Sequence, residues 1–110
     1  MTGTELIAAE RHRQIEVEGF TMEHDASVFH LREELALAAC YYAMPEKLEL
    51  PANGQTVSIL YPDAFFPSSW DDRWARREKK NRIRQLVVAG ALIAAEIDRL
   101  QRLAESEAES

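Results

Sequence analysis

From Ile83 to Leu100 apolar residues recur at alternating steps of three and four. The stripe is Ile83, Leu86, Val87, Gly90, Ile93, Ala94, Ile97 and Leu100, and it continues toward Leu103. An α-helix brings positions so spaced onto one face. The pattern predicts a helix over 82–104, about 34 Å long at 1.5 Å per residue. Val88, Ala91 and Leu92 widen the stripe beyond what one packed helix covers. A helix that is apolar over so broad an arc needs several neighbours, so a helical bundle is expected, and with it a homodimer.

The prolines say where helices cannot run. All four lie between Pro45 and Pro67, which leaves the sequence on either side free to be helical. The first helix is expected over about Thr4 to Glu18. A capping box of Thr2 and Glu5 opens it and Gly19 closes it, and Leu6, Ala9, Arg13 and Val17 share one face with Ile7 beside them. The second is expected from about Val28, capped by Asp25 or Ser27, to Met44, where Pro45 stops it. Leu31, Leu35, Ala38 and Tyr42 form its stripe, and Ala36, Ala38, Ala39 and Ala43 permit close approach of another helix. Cys40 reads as a packed small residue there. It is the only cysteine, so no internal disulfide forms.

Residues 45–69 read as an irregular excursion. Asn53-Gly54 is a turn signal, and a hairpin of Leu48–Leu50 against Val57–Ile59 is compatible with it, kept to an edge by Pro51. Ser69 and Asp72 can open a further helical segment, with Trp70 and Trp74 one turn apart, before a break near Arg77–Asn81. The expected fold is all-α: a small bundle of three to four helices with a long C-terminal helix and the excursion at 45–69. A chain of 110 residues fits one domain. That domain is placed over 1–105, with 106–110 as an acidic tail.

The longest apolar run, Leu86 to Ala95, is half the length of about 20 residues that a membrane span requires. Met1–Glu5 has neither the basic start nor the apolar core of a secretory leader. A cytoplasmic protein without a membrane partner is expected.

The net charge of −6 argues against a nucleic-acid binder that uses its whole surface, but the charge is not spread evenly. Residues 1–46 carry nine acids and three bases, whereas residues 73–84 carry seven bases and one acid, Glu78. Bases at a helix start oppose the helix dipole. Arg76, Arg77, Lys79, Lys80 and Arg82 are therefore candidates for an anion site, where guanidinium forks and helix-start amides meet a phosphate. The alternative is a solvated face that pairs with the acidic first half.

The second candidate site is acidic. His24-Asp25 is a metal-capable pair, and with Glu33 and Glu34 it offers an oxygen-rich set suited to Mg²⁺. The alternative is that His24 and Asp25 cap the second helix. No zinc-ligand spacing, glycine-rich phosphate loop or nucleophile elbow occurs. No cofactor is expected unless that Mg²⁺ set operates.

Several runs carry a resemblance. Glu10-Arg11-His12-Arg13-Gln14, Glu18-Gly19-Phe20-Thr21 and Glu23-His24-Asp25 are followed by Glu34 to Ala43, the Trp70–Trp74 segment and Gln85 to Leu100. Together they look like a group of small phage and prophage proteins, which implies an accessory protein in a bacterial host. More distantly the layout is similar to the MazG-like all-α nucleotide pyrophosphohydrolases. That resemblance implies a helical oligomer cleaving nucleoside triphosphates with Mg²⁺ held by an E-x-x-E pair and a later E-x-x-D pair. Glu33 and Glu34 stand where the first pair begins, but Ala36 and Leu37 occupy its second place, and Arg84, Val87 and Val88 stand near the later pair. The leading expectation is a non-catalytic binding module for a protein partner or a nucleotide-like anion. A divergent pyrophosphohydrolase, and more weakly a DNA-associated regulator, are the alternatives.

Overall fold

A computed structural model describes residues 1–17, 33–52, 56–68, 70 and 75–109. Among these, three α-helices are built around a core between the second and third, and one two-stranded ribbon stands beside them.

Helix α1 spans Gly3–Glu16. Its capping box is formed: the Glu5 amide donates to Thr2 Oγ1 at 3.2 Å, and the Thr2 amide donates to Glu5 Oε1 at 2.9 Å. The face it buries differs from the expected one. Glu10 and Gln14 are buried, Leu6, Ile7 and Arg13 are half-buried, and Ala9 and Val17 are exposed. The apolar stripe was too thin to decide the orientation of this helix. A charged contact to the third helix decides it instead.

Helix α2 spans Glu34–Ala43. The sequence places its start near Val28, but Glu33 has φ 60° and ψ 38°, the left-handed region, and no continuous α-helix passes through such a residue. Leu31, Gly19, Asp25 and Ser27 lie outside the described residues. The C-terminal end follows the proline rule: Met44 is extended at φ −70° and ψ 155°, as the residue before Pro45 must be. Leu35, Ala38, Ala39, Tyr41 and Tyr42 turn to the core. Cys40 is exposed rather than packed, because it shares the opposite side of α2 with exposed Leu37.

The excursion contains the hairpin. Strand β1 (Leu48–Ala52) pairs antiparallel with β2 (Thr56–Leu60), with Leu48 opposite Leu60 and Leu50 opposite Ser58. With only two strands, Pro51 sits on an edge strand and removes no central ladder bond. A 3₁₀ turn at Pro62–Phe65 then brings Phe65 and Phe66 against the core. Tyr42, Tyr41, Phe66 and Trp70 form an edge-to-face series with centroid separations of 4.9, 5.2 and 6.2 Å. The further helical segment expected over Ser69–Trp74 lies, apart from Trp70, outside the described residues.

A 3₁₀ turn at Arg77–Lys79 marks the expected break. Asn81 then caps the last helix, its Oδ1 accepting the Arg84 amide at 2.8 Å. Helix α3 runs Arg82–Glu109, 28 residues or about 42 Å. It overruns the expected end at Ala104. The segment placed as an acidic tail is helical through Glu109, consistent with the high helix propensity of Ala104, Glu105, Glu107 and Ala108.

Val88, Ala89, Leu92 and Ala95 of α3 pack against Leu35, Ala38 and Ala39 of α2. The alanines on both sides let the two axes approach closely. On another side of α3, Gly90 makes room for α1: a Cβ there would lie 2.6 Å from Ile7 Cδ1. No helix among the described residues is long and apolar enough to cross a membrane.

Candidate functional site

The basic run at 76–84 meets the end of α2. A helix leaves its last carbonyls without intrahelical partners, and Pro45 prevents any continuation. Two arginines fill the gap. Arg77 Nη2 donates to Met44 O at 2.5 Å, and Arg82 Nη1 donates to Met44 O at 3.0 Å and to Tyr42 O at 3.5 Å. Arg82 Nη2 also donates to Ala43 O. Both guanidiniums thus stand at the negative end of the α2 dipole. Gln85, buried, ties the arrangement to α3: its amide donates to Arg77 O at 3.0 Å and to Lys80 O at 3.2 Å, and its Oε1 accepts from Arg82.

Of the five candidate anion ligands, Arg77 is therefore buried and turned inward, and Arg82 serves backbone carbonyls. Arg76 and Lys79 are exposed and Lys80 is half-buried. Two clefts lie beside them. One, of about 220 Å³, is lined by Tyr41, Glu46, Tyr61, Asp63, Arg77 and Glu78 and carries more carboxylates than cations. The other, of about 320 Å³, is lined by Glu46, Arg77, Glu78, Arg82 and Gln85 and carries as many cations as carboxylates. Burial pushes the Tyr41 hydroxyl above its ordinary pKa, and the charges of Asp63 and Glu78 push the same way, so this phenol stays protonated. Sequence reading missed this group because Tyr41, Glu46, Asp63 and Glu78 come from separate elements with no shared spacing.

The acidic candidates divide. His24 and Asp25 lie outside the described residues. Glu33 is exposed at the start of α2, and Glu34 is buried next to it. Both act electrostatically on Arg99 of α3, whose guanidinium holds Glu96 in a two-point pair at 2.5 and 3.2 Å. The Glu96 hydrogen bond, reinforced by these carboxylates, raises the already high pKa of Arg99. The cation among these acids is thus a fixed guanidinium. Among the described residues no three His, Cys, Asp or Glu side chains are placed to hold a metal ion.

A second buried charge cluster joins α1 to α3. Glu10 accepts from Arg13 Nε at 2.7 Å and Nη2 at 2.8 Å, from Gln14 at 3.2 Å, and from Arg84. Burial works to raise the Glu10 pKa, but its two arginines and Gln14 together hold it below the ordinary carboxylate value. Arg11 and Asp98 add a looser pair at 3.7 Å.

The largest unused feature is the outer face of α3. Ile83, Leu86, Ile93, Ile97, Leu100 and Leu103 keep between 43 % and 68 % of their surface exposed. They belong to the three-four stripe, whose remaining members differ: Val87 is buried, and Gly90 and Ala94 are half-buried. The intramolecular core uses the other stripe, Val88, Ala91, Leu92 and Ala95. A helix apolar on both sides and covered on one leaves the second as a candidate contact surface.

The described residues form a small all-α fold with an edge ribbon and a long helix whose outer apolar face is exposed. Comparison with family models, curated proteins and solved structures finds no match to the chain.

Proposed function

We propose that the chain is a non-catalytic helical binding module that works as a homodimer, holding a second copy along the outer face of α3. The observation that carries this reading is the half-exposed row from Ile83 to Leu103. Full burial of a Leu or Ile side chain is worth about 1.5–3 kcal/mol, so each of these residues has on the order of 1 kcal/mol still to gain from a partner. Surface residues of a chain that stays alone do not normally fall into such a row.

Two further observations favour a protein partner over the alternatives. Two of the five candidate anion ligands, Arg77 and Arg82, are engaged with α2 carbonyls. Glu96, with Glu33 and Glu34 near it, is balanced by Arg99 rather than left open for Mg²⁺. The setting that suits such a module is the bacterial cytoplasm, as for the phage-type proteins it resembles.

Sedimentation velocity of the native chain over a wide concentration range tests the proposal. A dimer that dissociates on dilution is expected, with no pyrophosphate released from nucleoside triphosphates in Mg²⁺. A monomer at every concentration contradicts the self-association. Turnover that is lost in Glu34→Gln contradicts the non-catalytic reading and favours the Mg²⁺-dependent pyrophosphohydrolase.

A further inference from the structure

We propose that the two adjoining clefts where α2 ends take a small zwitterion of the amino-acid class, its carboxylate received by Tyr41 and Arg77 and its ammonium by Glu46, Asp63 and Glu78. This site stands apart from the self-association above and does not depend on it.

The clefts share Glu46, Arg77 and Glu78, so they form one continuous depression. Its unmet donors point to an oxygen ligand. Tyr41 keeps only 3 % of its surface exposed. Its hydroxyl accepts the Arg77 amide at 3.4 Å and responds to the charges of Asp63, Glu78 and Arg77. Those residues line the smaller cleft, so the hydroxyl end of the ring is the end turned toward it. The hydroxyl is protonated, yet its proton meets no acceptor among the described residues. Arg77, 6 % exposed, lines both clefts and holds a second unmet donor: Nη2 serves Met44 O, but Nε has no partner. Buried donors without acceptors are rare in folded chains, and an acceptor brought by a ligand accounts for both. A carboxylate offers two oxygens for the purpose.

The carboxylates supply the counterpart. Glu46, Asp63 and Glu78 are exposed, and none of them is in an ion pair among the described residues. Arg77, the cation that lines the smaller cleft with them, is turned to Met44 O. No three His, Cys, Asp or Glu side chains among the described residues are placed to hold a metal ion, so an organic ammonium suits these acids better than a bare divalent ion. A lone anion would face three carboxylates. A lone cation would leave Tyr41 and Arg77 unmet. A zwitterion answers both, and complementarity of this kind selects between ligands. The cleft beside Tyr41, about 220 Å³, suits one amino acid better than a nucleotide.

The test is titration calorimetry of the native chain with the proteinogenic L-amino acids. Saturable binding of at least one is expected. Its N-acetyl derivative, which lacks the ammonium, and its amide, which lacks the carboxylate, should each bind about tenfold more weakly or worse. Tyr41→Phe and Asp63→Asn should each weaken binding several-fold. Asp63 is exposed, so Asp63→Asn keeps the fold even if Tyr41→Phe does not. No saturable binding by any amino acid overturns the proposal. An N-acetyl derivative that binds as well as the parent makes this an anion site, and an equally bound amide makes it a cation site; either result overturns the proposal. Full affinity in both variants, with their helical signal intact, places the ligand elsewhere and overturns it too.

Discussion

Arg84, in the first turn of α3, donates to the buried carboxylate of Glu10 in the middle of α1. The two residues are 74 positions apart, and their contact joins α1 to α3 together with Ile7 on Gly90 and the Arg11–Asp98 pair. Because Glu10 is ionised and held below its ordinary pKa, it binds fewer protons folded than unfolded near pH 4. Its contribution is present in full above the unfolded value and is lost as pH falls through the lowered folded one. Glu10→Gln is expected to lower stability near neutral pH by about 1–3 kcal/mol and to flatten the fall in stability below pH 4.5. Urea titrations at a series of pH values check both.

This contact also shows where sequence reading stops. The Thr2–Glu5 cap, the stop at Pro45, the hairpin and the break before Arg82 were all legible, because each is set by neighbours within a few residues. The face of α1 was not legible. Its orientation depends on Arg84, and no local pattern announces a partner so far along the chain. The same holds for the basic run: its density was visible, but that Arg77 and Arg82 serve the α2 carbonyls follows only from where α2 ends. The stripe from Ile83 to Leu100 was read correctly as helical. Within it Val87 is buried, whereas Ile83, Leu86, Ile93, Ile97 and Leu100 stay exposed, because α2 packs on the side of Val88, Leu92 and Ala95.

The two arginines at the end of α2 give a second prediction. Arg77→Leu leaves Met44 O short of a buried donor, and a loss of about 1–3 kcal/mol is expected. Arg82→Ala, at a more exposed site, is expected to lose about 1 kcal/mol. Lys79→Ala, on an exposed side chain, should change stability by less than about 0.5 kcal/mol. Equal effects at all three positions, measured by chemical denaturation, would show that the bases act as a charge cloud and not through the carbonyls.

Gly90 and Ile7 give a third. Gly90→Ala gains about 1 kcal/mol of helix propensity, but the new Cβ overlaps Ile7 Cδ1 and Cγ1. Overpacking of this kind costs about 1–3 kcal/mol, so the single variant should be neutral to destabilising. In an Ile7→Ala background the overlap is gone and Gly90→Ala should stabilise. A double-mutant cycle should therefore show coupling on the order of 1 kcal/mol, whereas additivity would place α1 elsewhere on α3.

On the proposed reading a second copy covers the outer face of α3. Light scattering coupled to size exclusion, run on the native chain and on Ile93→Glu/Ile97→Glu side by side, tests it most directly. Neither residue lies in the intramolecular core, so the variant should keep its far-ultraviolet helical signal. Twice the 12.5 kDa chain mass is expected for the native protein and the single mass for the variant. A native protein at the single mass, or a variant that stays dimeric with its helices intact, would contradict it.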